Sequence, residues 1–345
     1  MTDVVIKKAG RTGRITLSRP EALNALTLGM IEDISAALPG MATDDGIDML
    51  VIDAEGDRAF CSGGDIADIY AALVAGDPSQ ARHFWQKEYR LNYALYAFPK
   101  PVAAFLNGYT MGGGVGVGCH GSHRIVGETS RIAMPECSIG LVPDVGGSLL
   151  LARSPGRLGE YLGVTGTRMS GPDAILAGFA DYFIPEIGWS DLIARLEATG
   201  DWTEIDKAAQ PVPHSELAEV AAHIDRHFGG ETLRDVMVSL EQDASDWAMK
   251  TRETLARNAP LAMASAVELI HRARVRDRMD EALGQEYRFA HRIVDMGDFQ
   301  EGIRAAIIDK DKSPNWRHAE PKDPTLAEVS AMLRPLGADE LKLEE

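Results

Sequence analysis

Two carboxylates stand close together in a stretch that is otherwise rich in proline, glycine and apolar residues. The stretch "AMPECSIGLVPDVGGSLLL", residues 133–151, contains Glu136 and Asp144. Charged side chains are rarely buried without a compensating partner. Two carboxyl groups with different surroundings can hold different pKa values and divide the roles of general acid and general base. The pattern indicates either a catalytic pair or helix-end chemistry, with Asp144 as an N-cap and Glu136 in a first helical turn.

Two glycine-rich loops offer backbone N–H donors to complement those carboxylates. The loops "FCSGGDI", residues 60–66, and "NGYTMGGGVGVGCHG", residues 107–121, each follow a predicted buried strand. N–H groups from two separate loops, one of them at a helix start, can converge on a developing oxyanion. The alternative for the second loop is close helix packing. Its literal G-x-G-x-x-G lies within the predicted helix, so it does not fit a dinucleotide-binding loop.

The elements that must position these loops alternate between strand and helix. We predict strands at 4–7, 14–17, 47–56 and 99–108, and a helix over 19–38. This alternation indicates an α/β fold. After two prolines, Pro211 and Pro213, the pattern becomes helical and charge-rich. We therefore predict an α/β catalytic domain over 1–210 and a helical C-terminal region over 211–345.

Composition restricts the classes of partner. The 345 residues include 35 basic and 52 acidic ones, and the formal charge of −17 argues against a nucleic-acid or anionic membrane partner. Three cysteines, without a secretory signal pattern or an apolar run of about 20 residues, favour a reducing, cytoplasmic setting. His120 and His123 are not completed by further ligands, so we predict no metal site.

Several motifs together resemble a known family. The segments "LSRPEALNALT", "AFCSGGDI", "GYTMGGGVGVG" and "AMPECSIGLVPDVGG", in this order, are similar to the enoyl-CoA hydratase/isomerase (crotonase) superfamily. The segment "EGIRAAIIDKDKSPNW", residues 301–316, resembles the C-terminal signature of its 3-hydroxyisobutyryl-CoA hydrolases. The resemblance implies a spiral of β-β-α units with C-terminal helices. It also implies acyl-CoA substrates, no cofactor apart from the coenzyme A of the substrate, and a possible homo-oligomer.

The resemblance also implies roles for residues of the loops. The N–H groups of Gly64 and Gly113 would form an oxyanion hole for the thioester carbonyl, and Ala25 and Leu26 would lie against coenzyme A. Glu88 would contact the acyl group. It also shares a predicted helical face with apolar residues, so the alternative is a carboxylate that reaches water at the edge of that face.

One further position separates hydration from hydrolysis in this family. Hydratases place a catalytic glutamate where this chain has Gly116, whereas Glu136 is kept and Asp144 replaces a small residue. We therefore expect hydrolysis of a short β-hydroxyacyl-CoA, with 3-hydroxyisobutyryl-CoA of valine catabolism as the leading substrate. Glu136 would activate water or attack the thioester itself, and Asp144 would protonate the thiolate or orient the nucleophile. The alternatives are a hydratase or isomerase that uses Glu136 with another partner, and a non-catalytic acyl-CoA binder.

Overall fold

The computed structural model describes residues 3–343, which contain ten β-strands and sixteen α-helices. The strands are β1 Val4–Ala9, β2 Thr12–Leu17, β3 Met49–Ala54, β4 Ala59–Cys61, β5 Val102–Phe105, β6 Tyr109–Met111, β7 His123–Val126, β8 Arg131–Ala133, β9 Met169–Ser170 and β10 Tyr182–Phe183. The predicted strands at 4–7, 14–17, 47–56 and 99–108 are confirmed as β1, β2, β3 and β5.

The helices occupy most of the remaining chain. They are α1 Leu28–Thr43, α2 Ala67–Val74, α3 Ser79–Tyr96, α4 Gly113–Gly118, α5 Gly147–Arg153, α6 Leu158–Thr165, α7 Gly171–Leu176, α8 Trp189–Thr199, α9 Thr203–Ala208, α10 Glu216–His227, α11 Leu233–Glu241, α12 Asp246–Leu255, α13 Pro260–Arg276, α14 Met279–Ile293, α15 Asp298–Ile303 and α16 Leu326–Met332. Short 3₁₀ turns occur at Pro20–Ala22, Glu136–Ile139, Glu186–Gly188 and Gly337–Asp339, and a π-helical turn at Arg304–Ile308.

The chain forms two compact units. The first comprises the segment up to Gly64, Lys87–Ala133 and Arg168–Ala218. The second comprises Asp65–Gln86, Met134–Thr167 and the segment from Glu219 onward. The units alternate along the chain, so they do not divide at one point between residues 210 and 211. The two domains over 1–210 and 211–345 remain a prediction.

The first unit holds both β-sheets. A six-stranded sheet has the order β1-β2-β3-β5-β7-β10, and a four-stranded sheet has the order β4-β6-β8-β9. Strands β1–β2 and β8–β9 pair antiparallel, and the other neighbours pair parallel. From β3 to β8, successive strands alternate between the two sheets, so each repeat adds one strand to each sheet. Apolar β3 and β5 lie in the middle of the larger sheet, where a strand needs apolar side chains on both faces.

The predicted helix over 19–38 is wrong in its first half. The chain makes a 3₁₀ turn at Pro20–Ala22, and α1 begins only at Leu28 with Thr27 as its N-cap. Between them, Leu23 and Asn24 have positive φ angles of 52° and 54°. The buried side-chain amide of Asn24 stabilises this conformation, because it donates hydrogen bonds to the backbone carbonyls of Glu55 and Ala59. Apolar spacing alone does not reveal such a constraint.

The second unit is helical, and its described residues include no strand. Helix α13 packs against α5 and α6 and is mostly buried. Fully buried Glu160 of α6 accepts bonds from Arg274 at 2.6 and 3.0 Å, from Arg157 at 2.9 Å and from His271 at 3.1 Å. The helical character predicted after residue 211 is therefore confirmed. Over residues 3–343, no helix has the length and apolarity that crossing a membrane requires.

Candidate active site

The first predicted oxyanion donor lies in a loop clamped to the Leu26 segment. Strand β4 ends at Cys61, and Gly63 follows with a φ of 115° that favours glycine. The Leu26 N–H donates to the Gly63 carbonyl at 2.9 Å, and Leu26 and Gly64 form a parallel β-bridge. Gly64 is therefore joined to the Leu26 segment by backbone pairing.

The second predicted donor, Gly113, begins helix α4 immediately beside the first. A Cβ atom on Gly113 would overlap Oε1 of Glu88 and would lie 3.2 Å from the Gly64 nitrogen and 3.3 Å from Cδ1 of Leu26. An N–H in the first turn of a helix has no acceptor within that helix. The structure thus brings together Gly64, Gly113, Glu88 and Leu26, four of the residues predicted from sequence. Their roles remain predictions.

The glycine run also serves close packing, which was the alternative explanation for it. A Cβ on Gly114 would overlap the Cys61 carbonyl, and one on Gly118 would lie 2.6 Å from Leu106 Cδ2 and 2.8 Å from Phe60 Cε1. Packing therefore accounts for Gly114 and Gly118, and the approach to Gly64 accounts for Gly113. The predicted hydratase position, Gly116, is buried inside α4 and has no side chain to offer.

Glu88 is enclosed rather than exposed. It lies on α3 with 3 % of its surface exposed, so the alternative of a carboxylate reaching water is wrong. Burial raises the pKa of the Cys61 thiol to about 12, and the negative charge of Glu88 adds to that rise.

Burial also raises the pKa of Cys119 to about 12 and that of Cys137 well above its ordinary value. The three cysteines are therefore neutral thiols near pH 7 and are not activated nucleophiles.

The Ala25–Leu26 segment is shaped by Asn24, a residue that the sequence analysis missed. The Asn24 amide donates to the carbonyls of Glu55 at 3.0 Å and Ala59 at 2.9 Å and accepts from the Arg19 N–H at 2.8 Å. The Arg19 guanidinium donates to the Ala25 carbonyl at 2.6 Å. Leu26 is fully buried and Ala25 is half-buried. The available signal was an asparagine within an apolar helical pattern, since asparagine tolerates left-handed backbone.

Glu136 begins a 3₁₀ turn in the second unit, which agrees with the helix-start alternative for its position. It follows Pro135, and the turn Glu136–Ile139 ends at Gly140 with a φ of 82°. The neighbouring Cys137 carbonyl accepts from the Ala259 N–H at 2.8 Å, and the Cys137 thiol donates to the Gly163 carbonyl at 3.4 Å. Only 5 % of Glu136 is exposed. Two helices therefore brace the segment that carries this buried carboxyl group.

Asp144 belongs to a tight turn and is not an N-cap. Its carbonyl accepts from the Gly147 N–H at 2.6 Å, and the two central residues, Val145 and Gly146, have φ angles of 53° and 81°. The N-cap of α5 is Gly146, without a side-chain cap, so the capping interpretation of Asp144 is wrong. A left-handed conformation costs about 1–2 kcal/mol for a residue with a Cβ, and β-branched valine adopts it rarely. The turn that presents Asp144, which is 4 % exposed, is strained.

A second residue missed from sequence, Glu286 of α14, binds this turn. Its carboxyl group accepts from the Gly146 N–H at 2.8 Å, the Ser148 N–H at 3.0 Å and the Ser148 hydroxyl. Burial raises the pKa of Glu286 to about 8; the donors at Ser148 and Gly146 lower it, and the negative charge of Asp144 raises it further. A glutamate among buried apolar neighbours of α14 was the only signal in the sequence.

Histidines group elsewhere in the second unit. Among the described residues, the ligand atoms of His223, His227 and Asp243 lie within 4.8 Å of one another. His227 already shares hydrogen bonds with Ser239 Oγ at 2.9 Å and Asp243 Oδ2 at 3.0 Å, which fits a structural bridge between helices. His120 and His123 are not part of this group.

The two units carry different chemical groups. The first places two glycine N–H groups beside a buried carboxylate, which suits binding of a polar acyl group whose oxygen gains negative charge. The second holds Glu136 and Asp144, and no single helix joins them because the chain turns at Gly140 and again at Val145. A thioester reaction needs both an oxyanion donor pair and an acid or base.

Comparison with known proteins gives a consistent family. A model described as enoyl-CoA hydratase/isomerase matches residues 12–333. A Danio rerio protein named 3-hydroxyisobutyryl-CoA hydrolase, mitochondrial, is 38% identical over 95% of this chain and 87% of its own length. The Homo sapiens protein of the same name is 35% identical over 99% of this chain and 90% of its own length.

Solved structures carry other descriptions. An enoyl-CoA hydratase from Rhodobacter sphaeroides 2.4.1 is 52% identical and superimposes with a TM-score of 0.94, covering 99% of this chain and 100% of that one. A carnitinyl-CoA dehydratase from Mycobacterium thermoresistibile is 37% identical with a TM-score of 0.94, covering 99% of both chains. The predicted crotonase-like α/β fold is therefore confirmed.

Proposed function

The chain belongs to the enoyl-CoA hydratase/isomerase family, and we propose that it hydrolyses the thioester of 3-hydroxyisobutyryl-CoA to 3-hydroxyisobutyrate and coenzyme A. The observation that carries the proposal is the buried Gly116 inside α4, which leaves Glu136 without the second glutamate of a hydratase. Relatives that align over nearly the whole chain and are named for this hydrolysis support it. The reaction needs only water and the thioester, so we propose no cofactor.

The proposed roles follow from the chemistry of thioester hydrolysis. The N–H groups of Gly64 and Gly113 would stabilise the negative charge on the carbonyl oxygen. Glu136 would take a proton from the attacking water, or would attack the carbonyl carbon and form an anhydride that water then cleaves. When the C–S bond breaks, the sulfur leaves with the bonding electron pair and takes up a proton, which Asp144 would supply directly or through water. Glu88 would bind the acyl hydroxyl group.

A panel of acyl-CoA thioesters tests the proposal. We expect free thiol to appear fastest with 3-hydroxyisobutyryl-CoA, and we expect Glu136→Gln and Asp144→Asn each to lower kcat at least about 100-fold, the range of a positioned acid or base. The exposed Glu253→Gln on α12 is the matched control and should keep the wild-type rate. Equal thiol release by the wild type and both site variants would contradict the proposed function.

A second candidate is hydration of a 2-enoyl-CoA, which the description of the 52% identical solved structure favours. Hydration removes the conjugated chromophore of the substrate without releasing thiol. The same panel, followed at the enoyl thioester absorbance and with a thiol reagent in parallel, separates the two reactions. Binding of acyl-CoA without either change would indicate a non-catalytic binder.

The pathway and compartment extend the proposal. We place the reaction in valine catabolism, because that is the breakdown sequence in which the proposed substrate arises. Three buried, unpaired cysteines suit a reducing compartment, and we propose the cytoplasm, whereas the vertebrate relatives are named mitochondrial. Fractionation of cells that express the tagged chain, with thiol release measured in each fraction, tests this assignment.

A further inference from the structure

The turn that carries Asp144 must be stabilised by hydrogen bonds from residues outside the turn. Val145 adopts a left-handed backbone conformation that a β-branched residue avoids, and the following helix α5 starts without a side-chain cap of its own. The hydrogen bond from the Gly147 N–H to the Asp144 carbonyl closes the turn, but it does not involve the N–H groups of Gly146 and Ser148. At a helix start such N–H groups lack partners within the helix.

Glu286 supplies that stabilisation from a distant part of the chain. Its two carboxyl oxygens accept separately, Oε2 from the Gly146 N–H and Oε1 from the Ser148 N–H and hydroxyl. Glu286 has no exposed surface, and the burial of a carboxyl group is costly unless its hydrogen bonds are satisfied. The bonds span 138 and 140 positions of sequence, so they join α14 to the residues directly after Asp144.

We propose that Glu286 is a positioning residue, which fixes the Asp144 carboxyl group by holding the Val145–Ser148 backbone in its left-handed turn. This inference rests on the proposed function, because it assumes that the placement of Asp144 limits the rate of thioester hydrolysis. Without the hold, Val145 relaxes toward ordinary backbone angles and carries the preceding residue with it. A misplacement of about 1 Å can cost about 100-fold in rate.

The Glu286→Gln variant tests the hold with little change in shape. Glutamine keeps one acceptor oxygen but sets an NH₂ group against the N–H of Gly146 or Ser148, so at least one bond is lost. We expect kcat for thiol release to fall between about 10- and 100-fold while KM for the acyl-CoA stays unchanged. The matched control is Glu160→Gln, which alters another fully buried glutamate of the same unit. It should lower stability and leave kcat unchanged.

Amide hydrogen exchange gives a readout that does not depend on activity. We expect the N–H groups of Gly146 and Ser148 to be protected in the wild type and to exchange faster in Glu286→Gln, and not in Glu160→Gln. Adding Val145→Gly to Glu286→Gln should restore part of kcat, because glycine adopts left-handed angles without strain. If Glu286→Gln does not fold, Ser148→Ala removes only the hydroxyl bond and should lower kcat about three- to tenfold.

The outcomes separate this inference from the proposed function. A wild type that releases no thiol from any acyl-CoA overturns the proposed function, while the exchange experiment still tests the hold. An active wild type with unchanged kcat in Glu286→Gln, or in Ser148→Ala where that variant stands in, overturns the positioning role. An equal loss of kcat in Glu160→Gln also overturns it, because the effect is then general to fully buried glutamates in this unit.

Discussion

Gly113→Ala should remove activity while keeping the fold. The added methyl group would overlap Oε1 of Glu88 and press on the Gly64 nitrogen at 3.2 Å, closer than an ordinary carbon–nitrogen contact of about 3.4 Å. Gly113 does not have a positive φ, so alanine is compatible with its backbone. The disturbance therefore falls on Glu88, Gly64 and Leu26, which all belong to the proposed site, and the backbone of the helix itself is not strained.

The size of the effect follows from those contacts. Glu88 and Gly64 must move apart to admit the methyl group, and the proposed donor N–H of Gly64 moves with its backbone. Loss of one oxyanion donor costs about 100- to 1,000-fold in kcat, or about 2.7–4 kcal/mol. Alanine favours a helix over glycine by up to about 1 kcal/mol, which offsets part of the crowding in the folded state. We expect a folded protein with kcat reduced at least about 100-fold.

Thiol release from 3-hydroxyisobutyryl-CoA, measured with thermal unfolding, checks this expectation. The matched control is Gly40→Ala in α1, where an added Cβ meets no atom within 4 Å. It should keep the wild-type rate and gain slightly in stability. A folded Gly113→Ala protein with wild-type kcat/KM would refute the reasoning, because the methyl group would then have disturbed no donor that the reaction needs.

Three further predictions concern stability and reactivity. Asn24→Ala should lower the free energy of unfolding by about 2–4 kcal/mol in urea titrations. The variant leaves the carbonyls of Glu55 and Ala59 without their hydrogen-bond donor, and the alanine must still adopt a left-handed conformation. An unchanged unfolding midpoint would contradict this. Burial acts to raise the pKa of Glu160, but hydrogen bonds from His271 and Arg274 outweigh burial and lower the pKa from 4.5 to about 2. The ionised group therefore contributes its full stabilisation above pH 4.5, and this stabilisation is lost progressively as the pH falls from 4.5 through 2. Melting temperatures between pH 5 and 3 should therefore fall more steeply for the wild type than for Glu160→Gln, and parallel slopes would disprove the coupling. A thiol reagent at pH 7.5 should modify none of the three buried cysteines of the folded protein and all three in denaturant, and rapid labelling of the native state would show that the thiols are accessible.

Part of the fold and of the site could be predicted from local sequence. The apolar runs of β3 and β5 predicted buried strands, because a parallel strand covered on both faces needs such a run. Closely spaced glycines predicted a backbone approach, and the structure shows it at Gly113, where a side chain would overlap Glu88. The family resemblance implied that Glu88 and Leu26 belong to the site, and the structure places both beside Gly113. Their roles in catalysis remain predictions.

Local patterns failed where distant hydrogen bonds decide the backbone. The helix predicted over 19–38 begins late, because buried Asn24 bonds the carbonyls of Glu55 and Ala59 and keeps a left-handed conformation. Asp144 has the sequence of an N-cap, yet its turn is held instead by Glu286, 140 positions from Gly146.

The sequence by itself determined which residues are buried in strands, where glycine is required and which side chains could act as acid and base, since periodicity and residue type carry that information. Only the tertiary structure decided the conformation of the segments that present those groups. The physical reason is that a left-handed backbone is unfavourable locally, so it persists only where buried partners from elsewhere in the chain satisfy it.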